Sequence, residues 1–250
     1  MSDPILSVRG LSKNFGALAV AQSIDLDLKP GDRVGLIGPN GAGKTTFVNL
    51  LTGVVKPDEG QILLKGQPIQ SIRPELRVRR GLARTHQINT LLVESSARDN
   101  IAVAIAERSG YAWRMLNYKK QWRECLDEAQ SMLADMGIAA IGDTEVRHLP
   151  YGEQRLLEIA IAMALKPQVL LLDEPGAGVP STEAHVIHDA LDRLPAEIAI
   201  LLIEHDMDLV FKFAKEIVVL VQGAVLTQGH PDEIAADPEV RAVYLGRSRD

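Results

Sequence analysis

A lysine and two threonines end the stretch GPNGAGKTT, which sets Gly38, Pro39, Asn40, Gly41, Ala42, Gly43, Lys44, Thr45 and Thr46 in one run. The chemistry suited to such a run is the holding of phosphate. Closely spaced glycines let backbone N–H groups converge on an anion, and the first turn of a following helix adds the positive end of its dipole. At the spacing G-x-x-x-x-G-K-[ST], Lys44 would reach the β- and γ-phosphates of a nucleotide and the Thr45 hydroxyl would ligate Mg²⁺. The required context is present: RVGLIG reads as a buried strand before the loop, and KTTFVNLLTGV as a helix after it, ended near Gly53. An accidental glycine-rich turn would lack both flanks.

A second group of residues completes a phosphoryl-transfer set. In VLLLDEP, Asp173 ends an apolar strand, where its carboxylate can hold Mg²⁺ through water. Glu174 follows directly and would sit beside the γ-phosphate to orient and polarise the attacking water. His205, in LLIEHDM, ends the next strand and is expected at the same sheet edge, as a γ-phosphate contact. His185 and His188 lie three apart on a helix but lack a third ligand, so they read as surface residues. Gln87, in ARTHQ, has no claim to function on its chemistry alone.

The elements that must position these residues follow from the hydrophobic patterns. The first segment, through Pro30 and Gly31, alternates apolar and polar residues and breaks at Gly16, as short antiparallel strands do. From about Arg98 to Gly137 the period becomes helical, with Trp122, Leu126, Ala129, Leu133 and Met136 forming one apolar stripe. The second half alternates strand and helix: VLLLD, a helix from about Thr182, IAILLI, a helix from Met207, then EIVVLV and a hairpin. That order predicts an α/β fold with a parallel sheet.

Composition narrows the function class. At 46% hydrophobic and 24% charged over 250 residues, the chain has the profile of a packed domain. A net charge of -6 carries no electrostatic footprint for nucleic acid or anionic lipid, and Cys125, the single cysteine, excludes an internal disulfide. MSDPILSVRG lacks the layout of a secretory signal, and no apolar run nears the ~20 residues of a membrane helix. A cytoplasmic chain that meets a membrane only through a partner is expected.

Taken together, these motifs resemble the ATP-binding subunits of ABC transporters over essentially the whole chain. GPNGAGKTT looks like the Walker A loop, VLLLDEP like Walker B, His205 like the switch histidine and Gln87 like the Q-loop glutamine, which contacts Mg²⁺ and the attacking water. Phe15 matches the aromatic that stacks on adenine. Tyr151, Gly152, Glu153 and Gln154, in LPYGEQ, fall where the signature motif, usually LSGGQ, belongs. YGEQRLLEIA, DEPGAGVPSTE and the ending PDEIAADPEVRAVYLG are similar to ATPases of branched-chain amino acid importers and their urea or amide relatives.

The resemblance implies a single ABC ATPase domain over 1–250, a P-loop NTPase core with a parallel sheet. Residues 1–87 and 161–250 would form the core with an N-terminal antiparallel β-subdomain, and 88–160 a helical subdomain carrying the signature. It implies ATP and Mg²⁺ as ligands, and a head-to-tail dimer with a second ATPase subunit, the same or paralogous. Two membrane-spanning permeases and, indirectly, a solute-binding protein would complete the assembly at the cytoplasmic face of the cytoplasmic membrane. An exporter or lipid-extracting complex uses the same motifs, and so does a non-transport ABC ATPase.

Three positions depart from the family pattern. His86 stands in place of a phenylalanine, Pro150 in place of the signature serine, and Pro180 in place of an Asn or Asp after Gly178. The last two belong to surfaces offered to a partner. Proline has no hydroxyl to donate to the partner's γ-phosphate, so one of the two ATP sites would be weakened. Alternatively, Pro150 only opens a helix at its first position while Gly152 and backbone N–H groups bind phosphate. The aromatics between Tyr111 and Trp122 read either as a docking surface for a membrane partner or as the insertion's own small core.

Overall fold

The structure is a computed structural model that describes residues 3–85, 91–111, 118–180 and 184–245. Along the chain run β1 (Leu6–Phe15), β2 (Leu18–Leu28), β3 (Arg33–Ile37), α1 (Lys44–Thr52), β4 (Glu59–Leu64), β5 (Gln67–Pro68), α2 (Pro74–Arg79) and β6 (Leu82–Arg84). Then come α3 (Ala97–Arg108), α4 (Tyr118–Asp135), α5 (Tyr151–Ala164), β7 (Val169–Asp173), α6 (Ala184–Asp192), β8 (Ala199–Ile203) and α7 (Met207–Phe213). The chain closes with β9 (Glu216–Val221), β10 (Ala224–Gly229), α8 (Pro231–Ala236) and α9 (Pro238–Leu245). It divides into two compact units. One comprises Met1–Leu82, Gln168–Glu174 and Glu197–Asp250, the other Ala83–Pro167 and Pro175–Ala196.

The first unit holds one sheet whole and the other up to Leu82 of its last strand. Strands β2-β1-β4-β5 form an antiparallel sheet, its first hairpin turning at Gly16, whose φ of 60° suits glycine. The second sheet has the order β10-β9-β3-β8-β7-β6, the last strand starting at Leu82, where the chain passes into the other unit. Strands β9, β3, β8 and β7 pair in parallel, while β10 folds back antiparallel on β9. The runs VLLL and AILLI are buried at every residue, because a parallel sheet is covered on both faces and exposes no polar side.

Helix α1 carries Phe47, Val48, Leu50 and Leu51 into this core. Gly53 ends it in the left-handed region, with φ 84°. Arg77, only 1% exposed, reaches the same helix end and donates to the Leu50, Leu51, Ile72 and Gln70 carbonyls at 2.8, 2.6, 3.0 and 3.1 Å. A cation at the negative end of the helix dipole satisfies carbonyls that the helix leaves unpaired.

In the second unit, α3 begins at Ser96, whose hydroxyl accepts from the Asp99 N–H at 3.1 Å. Buried Asn100 exchanges hydrogen bonds with the Leu92 backbone and donates to the Ser96 carbonyl, pinning the entry to that helix. On α4 the buried stripe runs through Cys125, Ala129 and Leu133, whereas Trp122 and Leu126 are only half-buried. The stripe therefore starts at Cys125, three residues after Trp122, and keeps Ala129, Leu133 and Met136 of the expected set. Trp122 instead stacks on Tyr118, with ring centroids 6.3 Å apart, against an apolar groove that Val103, Ala106 and Tyr111 also line. Residues 112–117 of the Tyr111–Trp122 aromatic segment, including Trp113, lie outside the described residues.

Among the described residues, no helix is long and apolar enough to cross a membrane.

Candidate functional site

The loop between β3 and α1 is shaped by what surrounds its glycines. A Cβ on Gly38 would lie 2.1 Å from the Leu220 carbonyl oxygen, so only glycine lets the loop pass under β9. Gly43, at φ 102°, would put a Cβ 2.4 Å from the Val20 oxygen of β2. The turn between β9 and β10 clamps the loop from the same side. The Gly223 N–H donates to the Ala42 carbonyl at 2.8 Å, and Gln22 of β2 donates to the Gly223 carbonyl at 2.7 Å. Gly41, by contrast, has a φ of 80° and open space where a Cβ would stand. This is a fixed backbone cradle, open on one side, with the first turn of α1 at its end, and it fits a chain of phosphates.

Lys44 is buried, and its ammonium donates to the Gly38 carbonyl at 2.6 Å and to the Pro39 carbonyl at 3.3 Å. Burial lowers its pKa, while the Glu174 and Asp173 carboxylates oppose that shift. These carboxylates come from the neighbouring strand end. Leu36 pairs with Ile203, and Ile203 with Asp173, so one row across β3, β8 and β7 lies just before Gly38, Glu174 and His205. The register brings all three groups to the carboxyl edge of the sheet, where open α/β sheets collect ligands.

Glu174 takes a left-handed backbone conformation, with φ 48°, which is uncommon for a residue with a side chain. Its N–H continues the ladder by donating to the Ile203 carbonyl at 2.9 Å, which holds the conformation in place. The turn frees the carboxylate from the strand's alternation. Its Oε1 stands 4.0 Å from the Nδ1 of His205, close enough to share a small group between them. Below His205 lies Glu204, fully buried, whose Oε2 accepts the His205 N–H at 3.1 Å. Nothing in the sequence singled out Glu204, because a glutamate after an apolar strand usually marks a solvated turn.

Phe15 sits at the tip of β1 and is 51% exposed, with the Lys13 ammonium 5.5 Å from its ring centre. Thr45 is exposed and Thr46 half-buried on the first turn of α1. No cluster of three or more His, Cys, Asp or Glu able to hold a metal exists among the described residues, His185 and His188 included. Gln87 and His86 lie outside the described residues.

In the second unit, Tyr151, Gly152, Glu153 and Gln154 form the first turn of α5. Pro150 is the N-cap of that helix, with φ -53° and ψ 154°, one place before the first-position role open to it from sequence. It supplies no side-chain cap, and the Gln154 side chain turns back to the Leu149 carbonyl at 2.8 Å. Arg155 and Glu158, one turn on, are a buried ion pair at 2.8 Å. Two charges three apart inside an apolar helix face break the pattern of the sequence there. Arg77 was hidden differently, among Arg73, Arg79 and Arg80.

Comparison with known proteins adds the ancestry. The ABC transporter family profile matches residues 21–177, and a second profile, branched-chain amino acid ATP-binding cassette transporter, matches 224–250. The chain is 39% identical to the high-affinity branched-chain amino acid transport ATP-binding protein LivG of Escherichia coli K12, over 99% of this chain and all of that protein. It is 37% identical to BraF of Pseudomonas aeruginosa, a protein of the same description, over 99% of this chain and all of BraF. A solved structure, the ADP conformation of an ATP-binding cassette of an ABC transporter, matches with a TM-score of 0.84 at 27% identity, covering 98% of this chain and all of that one.

Proposed function

Because the chain belongs to the ABC transporter ATP-binding family, we propose that it is the ATP-hydrolysing subunit of an importer for branched-chain amino acids. The importer reading draws support from the C-terminal match over residues 224–250 and from the full-length likeness to LivG and BraF. The catalytic reading rests on one observation above the others: the strand row Leu36–Ile203–Asp173, just beyond which the chain reaches Gly38, His205 and Glu174.

In this reading ATP lies along the loop from Gly38 to Thr46, its adenine against Phe15. Lys44 exchanges the Gly38 and Pro39 carbonyls for β- and γ-phosphate oxygens. Mg²⁺ would be held by the Thr45 hydroxyl, Asp173 and Gln87 together with phosphate oxygens, and would neutralise charge that builds on them. Glu174 accepts a hydrogen bond from the attacking water, and His205 holds the γ-phosphate across from it. Tyr151 to Gln154 would complete the ATP site of a second ATPase subunit, the same or paralogous, in a head-to-tail dimer. Two permeases fed by a solute-binding protein would anchor the pair at the cytoplasmic face of the membrane.

The test is uptake of leucine, isoleucine and valine by vesicles carrying the subunit with its permeases and binding protein. ATP inside the vesicles should drive uptake of all three. Glu174→Gln should still bind ATP while uptake falls by about 10²–10⁴, the usual weight of a general base. Full uptake by that variant would refute the role of Glu174, and ATP-driven movement of other solutes only would refute the importer assignment.

A further inference from the structure

Arg155 lies 22 residues before Ala177 in the chain, yet the two are in contact inside the second unit. The guanidinium forks. Its Nη1 donates to the Glu158 carboxylate at 2.8 Å, and its Nη2 donates to the Tyr151 hydroxyl at 2.8 Å and the Ala177 carbonyl at 3.3 Å. The same group sits 5.1 Å over the Tyr151 ring. On the other side, Tyr151 packs against Gly178: a Cβ there would come within 3.0 Å of the phenol oxygen and 3.1 Å of the ring. Gly178 has φ 78°, and the Val179 N–H closes a tight turn on the Gly176 carbonyl at 3.1 Å.

Stability alone is a weak reason for this network. The Arg155 Nε and the Glu158 Oε1 are buried without a hydrogen-bond partner, and each unmade bond counts against the folded state. Burial raises the Glu158 pKa against the opposing effect of Arg155, so the ion pair does not fully offset the desolvation of the carboxylate. What the network does provide is a fixed relation between the first turn of α5 and the loop from Gly176 to Val179.

We infer that Arg155, through Tyr151 and Ala177, is a positioning residue that fastens the loop Gly176–Val179 to the first turn of α5. Both segments then meet the partner subunit as one rigid piece. The inference rests on the proposed function for its consequence, since both segments are there read as surfaces offered to a partner. A loop that shifted alone would change one partner contact, whereas this arrangement changes both together.

The test replaces the pair at once, Arg155→Met with Glu158→Leu, so that no charge is left buried alone. Hydrogen exchange is followed on the free chain, and ATPase activity on the assembled complex. Amides from Gly176 to Val179 should exchange about tenfold faster, with the rest of the chain and its melting temperature unchanged. ATP binding by the chain should be unaffected, and kcat of the complex should fall about tenfold at constant KM. Unchanged exchange in the loop overturns the inference. So does faster exchange across the whole unit with a lower melting point, which would mark a structural pair only. A wild-type complex that hydrolyses no ATP would instead overturn the proposed function, and the exchange result would still judge the network.

Discussion

At the scale of single residues, the site depends on a few side chains held where they would not go unaided. Glu174 occupies a left-handed backbone conformation that its strand neighbours hold in place, and Lys44 is buried against carbonyls in the field of two carboxylates. Pro150 presents the opposite case, a position whose usual side-chain group is missing. As the N-cap of α5 it contributes no acceptor to the first-turn N–H groups. Pro150→Ser should therefore stabilise the chain by about 1 kcal/mol, seen as a higher melting temperature, since a serine N-cap satisfies one of them. In the proposed head-to-tail dimer the same change should raise the ATPase rate of the complex, through the hydroxyl it would offer to the partner's γ-phosphate. A more stable chain with an unaltered rate would mean that Pro150 is only a helix start.

At the scale of elements, α1 is the member on which the proposed phosphate binding depends, and it is held at both ends. Its N-terminus is set by the loop that Gly223 and Leu220 pack, and its C-terminus by Arg77 and Gly53. Four carbonyls share one guanidinium, and a lysine ammonium with three donors on a longer, looser stem cannot meet them all. Arg77→Met should lower stability by about 3 kcal/mol, measured by urea unfolding, because buried carbonyls lose a charged donor. ATP affinity should fall alongside it as the helix end loosens. Stability within experimental error of the wild type would show that water or Gly53 alone suffices to cap the helix.

At the scale of the whole molecule, acid should loosen both units through the same kind of bond. In the first unit, the hydrogen bond from Arg9 holds Asp27 below the usual carboxylate range. In the second, Arg108 does the same for Glu128, linking α3 to α4. A carboxylate whose pKa is lower folded than unfolded adds stability above its unfolded value of about 4. That contribution is present in full above about pH 5 and is lost as pH falls through 4 and below. Melting temperatures measured from pH 7 to pH 3 should drop most steeply in that window. Asp27→Asn combined with Glu128→Gln should start lower and flatten the slope, and an equally steep slope in that variant would assign acid sensitivity to other groups.

By itself, the sequence determined the candidate residues for the chemistry and the order of elements. Asp173, Glu174 and His205 stood out as candidates because each ends or follows an apolar run short enough to be a buried strand, and Lys44 because it closes a glycine-spaced loop suited to phosphate. The strand pairing belongs to the tertiary structure, because register joins β3, β8 and β7 across residues far apart in the chain. So do Arg77, Glu204 and Arg155, whose roles arise from burial beside carbonyls and amides that no local pattern announces. Pro150 divides between the two. Its identity and place in the motif are sequence, while its role as an N-cap without a side-chain acceptor was decided by the backbone angles it adopts in the fold.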